Sequence, residues 1–169
     1  MTKYYAGIGS RKTPKDVLED MKLIGKFLAN NGFCLRSGGA GGADQAFEAG
    51  CDEVNGEKEI FIPWKGFNGI DGIVPSYNDE VYEEVSSLHP AWHRCSSGAR
   101  KLHCRNWYQV NGISNEEPSE FIVCWTPGGE LVGGTAMAIR LAMKKNIPVV
   151  NLAKPNALKE LMKIIKHEY

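Results

Sequence analysis

The chain has 169 residues, the length of one ordinary domain, which buries roughly 70% of its unfolded surface and needs no metal or disulfide staple. Hydrophobic residues make up 43% and charged residues 24%, which excludes a disordered chain, and no apolar run is long enough to span a bilayer. Twenty basic residues balance twenty acidic ones, so overall charge does not favour nucleic acid, although a local basic patch remains compatible with neutrality.

In chain order, Lys3 to Ile8 reads as a strand that ends in Gly9-Ser10-Arg11. Thr13 then stands as an N-cap with Pro14 at the first helical position. Val17, Met21, Ile24, Phe27 and Leu28 recur at helical spacing, and Gly32 closes that helix. Phe33 to Arg36 is a second strand, running into Ser37-Gly38-Gly39-Ala40-Gly41-Gly42-Ala43-Asp44 and a short helix to about Gly50. Glu59 to Pro63 is a third strand. Residues 64–78 are a loop, Asp79 to Leu88 an acidic helix, and Ser97 to Val110 another helix after a turn at His89-Pro90. Phe121 to Trp125 is a fourth strand, followed by a loop from Thr126 to Gly133 and a helix from Gly134 to Lys145. Pro148 to Leu152 is a fifth strand and Pro155 to His167 a last helix. Strands alternating with helices predict one α/β domain: a Rossmann-like open, mostly parallel sheet of five or more strands with helices on both faces.

The strand–glycine–helix junctions carry the strongest chemical signal. Glycine lets the backbone bend sharply and lets N–H groups approach an anion, while the following helix directs its positive dipole end at the same point. Three junctions have this form: Gly9-Ser10-Arg11, residues 37–44, and Gly133-Gly134-Thr135. Each lies at a strand's carboxyl end, where open α/β sheets bind ligands. None is a GxGxxG or P-loop motif. Tight turning alone also explains any one of these junctions. Asp44, at a helix start, reads equally as a dipole-stabilising acid or as an acceptor for a ribose or base.

A second signal is Ser86 to Asn106, which holds Arg94, Arg100, Lys101, Arg105, three of the four histidines (His89, His93, His103) and no acid. Arginine grips phosphate bidentately and Trp92 or Trp107 is suited to stack a base; a solvated helix face is the plainer reading. The five cysteines (Cys34, Cys51, Cys95, Cys104, Cys124) form no CxxC pair and read as reduced thiols of a cytoplasmic protein. Zinc held by Cys95, His103 and Cys104 fits no standard spacing. No cofactor and no nucleophile–base pair is indicated. Ser10, Ser37 and Thr135 read as phosphate donors.

Gly9-Ser10-Arg11, Ser37 to Asp44, Arg105-Asn106 and Gly133-Gly134-Thr135-Ala136 occur in an order that resembles the DprA (Smf) DNA-processing family. The wider superfamily includes the LOG nucleotide phosphoribohydrolases and nucleotide-sensing SLOG domains. The resemblance spans roughly residues 4–152. His89 to Gly112 and Cys124-Trp125-Thr126-Pro127 look most like short stand-alone DprA-like proteins of tailed phages. LOG enzymes place a catalytic glutamate shortly after their Gly-Thr, where this chain has Ala136-Met137-Ala138-Ile139.

The leading expectation is a nucleotide, or a nucleotide-derived signal, held on the 37–44 loop and the Gly134 helix start, with Arg11 and Arg105 neutralising phosphate. Thr126, Asn106, Gly133 and Thr135 join that expected site. The alternatives are LOG-type N-glycoside hydrolysis and single-stranded DNA binding in recombination. Self-association is also implied by the resemblance, and no membrane partner is.

Overall fold

The computed structural model describes residues 2–167. Five strands run β1 (Lys3–Gly7), β2 (Phe33–Ser37), β3 (Lys58–Ile60), β4 (Ile122–Cys124) and β5 (Val149–Asn151). They form one sheet in the order β3-β2-β1-β4-β5, and every pairing is parallel. The helices are α1 (Lys15–Asn30), α2 (Ala43–Glu53), α3 (Asp79–Leu88), α4 (Ser97–Asn111), α5 (Thr135–Lys144) and α6 (Ala157–His167). No helix among the described residues is long and apolar enough to cross a membrane.

Alternation along the strands builds a core on each face of the sheet. Tyr5, Phe121 and Val123 pack with Met21, Leu28, Phe47 and Leu161 of α1, α2 and α6. Their neighbours Ala6, Ile8, Ile122 and Cys124 pack on the opposite face with Val85, Trp107, Met137 and Leu141 of α3, α4 and α5. A parallel sheet covered on both faces reads as short continuous apolar runs, as Phe121 to Cys124 does. Tyr5 stacks on Phe121 at 5.7 Å between ring centroids, with Phe33 edge-on to Phe121 at 5.4 Å.

Beyond shifts of one or two residues at other element ends, three boundaries differ from the sequence expectation. Thr13 is not the cap of α1. Pro14 occupies the N-cap with extended dihedrals (φ −60°, ψ 153°), and the Thr13 hydroxyl donates to the Ser10 carbonyl at 2.6 Å. The helix after the glycine-rich loop does not stop at Gly50 but continues to Glu53. Gly50 is there for contact, since a Cβ would lie 1.9 Å from the Lys22 carbonyl oxygen, and one on Gly25 would lie 2.6 Å from that of Phe47. Helices α1 and α2 therefore meet backbone to backbone. The third strand ends at Ile60; Phe61 makes an isolated bridge to Ile73 instead.

Gly50→Ala is expected to destabilise the fold by about 3 kcal/mol, the upper end of overpacking costs, despite alanine's better helix propensity. Urea unfolding tests this. An unchanged midpoint would mean that α1 and α2 separate freely.

Candidate functional site

The strand order changes direction between β1 and β4, the neighbours that both leave the middle of the sheet. Open α/β sheets have their crevice outside the carboxyl ends of such a pair. A cavity of about 830 Å³ lies there. The end of β1 contributes Gly9, Ser10, Arg11 and Lys12, and the start of α5 contributes Gly133, Gly134, Thr135 and Arg140 from further along that helix.

Helix α4 supplies a third wall. Ser96 caps it by accepting from the Ala99 N–H at 3.1 Å. Ala99, Leu102, His103, Asn106 and Gln109 then recur at helical spacing along one face that lines the cavity, with Arg105 beside them.

The third glycine turn presents an open helix end. Gly133 has φ +73°, the left-handed region that favours glycine, while Gly134 is already helical (φ −65°, ψ −32°). Nothing lies within 4 Å of where a Cβ would stand on either. Asn106 donates through Nδ2 to the Gly134 carbonyl at 3.0 Å, fixing the turn against α4. First-turn N–H groups of α5 thus face the cavity with the helix dipole behind them.

In the 37–44 loop the backbone amides meet the chain's own Asp44. Asp44 is buried and accepts from the Ala40 N–H at 3.2 Å. Burial raises its pKa to about 6, against the pull of Arg105 and of the Ala40, Gly9 and Gly38 amides. The chain's own carboxylate therefore sits against amides of this loop. Of that loop only Ala40 and Asp44 line the cavity; Ser37, Gly38, Gly39, Gly41 and Gly42 do not. The Ser37 hydroxyl is fully buried and donates to the Gly7 carbonyl at 2.6 Å. Gly38 is required by packing, since its Cβ would lie 2.4 Å from Gln109 Nε2 and 2.5 Å from Arg105 Nη1. Thr126 is also absent from the lining, because Asn151 Nδ2 donates to its hydroxyl at 2.7 Å beneath the surface.

Arg105 faces the glycine loop as expected, yet it is not a free phosphate clamp. It is 5% exposed. Its Nη1 donates to the Gly38 and Phe61 carbonyls and its Nε to Asn106 Oδ1 at 3.0 Å. Burial lowers its pKa and Asp44 opposes that shift. Arg105 thereby ties α4 to the ends of β2 and β3 through the Gly38 and Phe61 carbonyls.

An acid whose pKa rises on folding binds more protons in the native than in the unfolded state between the two values. Asp44 therefore makes the fold lose stability as pH climbs from its ordinary value of 3.8 to about 6, by about 3 kcal/mol. The unfolding free energy of the wild type minus that of Asp44→Asn is expected to fall by this amount between about pH 3 and pH 7. A flat difference would mean that Asp44 titrates as an exposed acid.

His89 and His103 come from the basic segment that sequence reasoning singled out, while it missed Lys12, Gln109 and Arg140 as cavity residues. No local motif marks them; α4 and α5 bring them in by packing. Gln109 is 1% exposed and its Oε1 accepts no hydrogen bond. Burial, His89, Arg105 and Arg140 lower the His103 pKa to about 4, so it is neutral at pH 7. Arg11, Lys12, Arg105 and Arg140 face the cavity against one carboxylate, Asp44, although the chain is neutral as a whole. Cys104, which follows His103, is buried in the core against α3 and α5.

Residues 1–162 match the family described as DNA recombination-mediator protein A. The chain belongs to this family. No curated protein matches the sequence. Among solved structures, DNA processing protein A from Helicobacter pylori, studied for its single-stranded DNA binding mode, superposes with a TM-score of 0.59 at 20% identity. That match covers 95% of this chain and 72% of the other. DprA from Streptococcus pneumoniae gives 0.58 at 16% identity, over 96% of this chain and 56% of that one. The Moco carrier protein of Chlamydomonas reinhardtii gives 0.55 at 20% identity, over 97% and 85%. At these identities the likenesses establish the fold, and membership rests on the family match.

Proposed function

We propose that this protein binds single-stranded DNA, seating one backbone phosphate on the first turn of α5 and the adjoining nucleotide in the cavity. The carrying observation is the sign segregation of the crevice: four cations and one carboxylate in a chain of zero net charge. Family membership supports a DNA substrate, as does the single-stranded DNA binding studied in the Helicobacter pylori relative. Asn106 and Gln109, which line the cavity, support a base beside the phosphate, because amide side chains match the hydrogen-bonding edges of bases.

A second reading is a free nucleotide or cofactor in the same cavity. Its size favours this, since small-molecule pockets occupy about 300–1,000 Å³, and a relative that carries the molybdenum cofactor shares the fold. LOG-type hydrolysis has less support, because no acid follows Gly134-Thr135.

Fluorescence anisotropy with a thymidine oligonucleotide separates these readings. With Arg105 held by backbone carbonyls, three phosphates neutralised by Arg11, Lys12 and Arg140 predict a slope of log K against log salt of about −2, taking about 0.7 for each single-strand phosphate. Affinity should rise with oligonucleotide length until those contacts are filled. Free thymidine monophosphate should compete only weakly. Tight mononucleotide binding with no gain from length would replace the first reading by the second.

A further inference from the structure

We propose that His89, Cys95 and His103 form a binding site for a divalent metal of the zinc class on the wall of the cavity. Three separate elements bring them together. His89 is the C-cap of α3, Cys95 follows the short 3-10 turn Trp92–Arg94, and His103 lies on the second turn of α4. One ligand atom from each lies within 4.8 Å of the others. Cys95 Sγ stands 3.6 Å from His89 Nε2. A tetrahedral zinc ion with bonds of about 2.3 Å to sulfur and about 2.0–2.1 Å to nitrogen holds such atoms about 3.5 Å apart.

Two observations point to a ligand rather than a packing accident. His103 Nδ1 is buried with no hydrogen-bond partner, a state that metal coordination would relieve. The segment carrying Cys95 is also pinned where the site needs it. Arg100 Nη2 donates to the Trp92 carbonyl at 3.0 Å and the guanidinium lies over the Trp92 ring at 5.1 Å. Trp92 itself packs against both His89 and His103.

The donor set selects the metal. One thiolate with two imidazoles suits zinc and not calcium or magnesium, which take oxygen ligands. Three protein ligands leave a fourth position. His89 and His103 line the cavity while Cys95 does not, so that position goes to water or to a group in the cavity. Loading has one local consequence. The Ala91 N–H now donates to His89 Nδ1 at 3.0 Å. A metal on Nδ1 uses that lone pair, and one on Nε2 leaves Nδ1 protonated, so the Ala91 amide must turn away either way.

The test uses the whole protein and metal alone. Titration with Co²⁺ is expected to give one equivalent bound, with visible bands of a tetrahedral site, a sulfur-to-cobalt charge-transfer band, and displacement by Zn²⁺. Cys95→Ser should abolish the charge-transfer band, and His103→Ala should weaken Co²⁺ binding by about a hundredfold or more, beyond what loss of an outer-shell partner costs. Wild-type protein alone gives a parallel readout independent of folding of the variants: Zn²⁺ should slow alkylation of Cys95, the half-buried thiol among four buried ones. The absence of a thiolate–cobalt band in the wild type overturns the site, as does a band that survives in Cys95→Ser or alkylation of Cys95 unchanged by Zn²⁺.

Discussion

Gly134→Asp is expected to abolish binding of a single-stranded oligonucleotide while leaving the protein folded. The residue is helical (φ −65°) and nothing lies within 4 Å of its Cβ position, so a side chain enters the cavity without strain. An aspartate there would place its carboxylate where a phosphate oxygen belongs and would bond the same first-turn N–H groups. Losing two charge-assisted contacts costs about 3 kcal/mol or more, over a hundredfold in affinity, and repulsion between the charges adds to it. Stability should change by less than about 0.5 kcal/mol, because aspartate is favourable at a helix start. Anisotropy and urea unfolding on the same variant separate the two effects. A stable variant with wild-type affinity would make the 133–135 turn a structural feature only.

Arg105→Ala is expected to act on the fold first. The sequence expectation was a phosphate clamp, whose loss would cost affinity alone. The structure instead gives the guanidinium two backbone carbonyls, Gly38 and Phe61, and a buried carboxylate for company. Truncation leaves the buried Gly38 and Phe61 carbonyls without their donor, at about 1–3 kcal/mol for each unsatisfied group. The Asp44 pKa should rise further above 6, since Arg105 is the largest influence holding it down. Thermal and urea unfolding measure the loss. A variant as stable as wild type with weakened DNA affinity would restore the clamp.

The strand–glycine–helix junctions were legible because glycine at a bend is a local requirement, and Gly133 with φ +73° meets it. Helix α3 was legible to the residue, because Asn78 caps it by accepting from the Val81 N–H at 2.9 Å and His89-Pro90 ends it. Gly50 misled, because a glycine that lets two helices touch has the same letter as one that ends a helix. The partner of the 37–44 loop was hidden for a similar reason. Asp44 accepts from the Ala40 amide of that loop, a contact that only the fold shows. Gln109 and Arg140 carry no local signal, since their helices belong to the core and their exposure to the crevice depends on where the sheet reverses its strand order. The proposed metal-ligand set shows the same limit. Cys95 and His103 were legible as possible donors, but Cys104 follows His103 on α4 and so turns into the core, while His89 arrives from another helix.

The central claim is that a strand's phosphate sits on the first turn of α5 inside the crevice. Backbone amide NMR during titration with a thymidine oligonucleotide tests it most directly. The account predicts saturable shifts of the Gly134 and Thr135 amides that follow the affinity measured by anisotropy and vanish in Gly134→Asp. Shifts confined to the outer lysines of α1, such as Lys22 and Lys26, with the 133–135 amides unmoved at saturation, would contradict it.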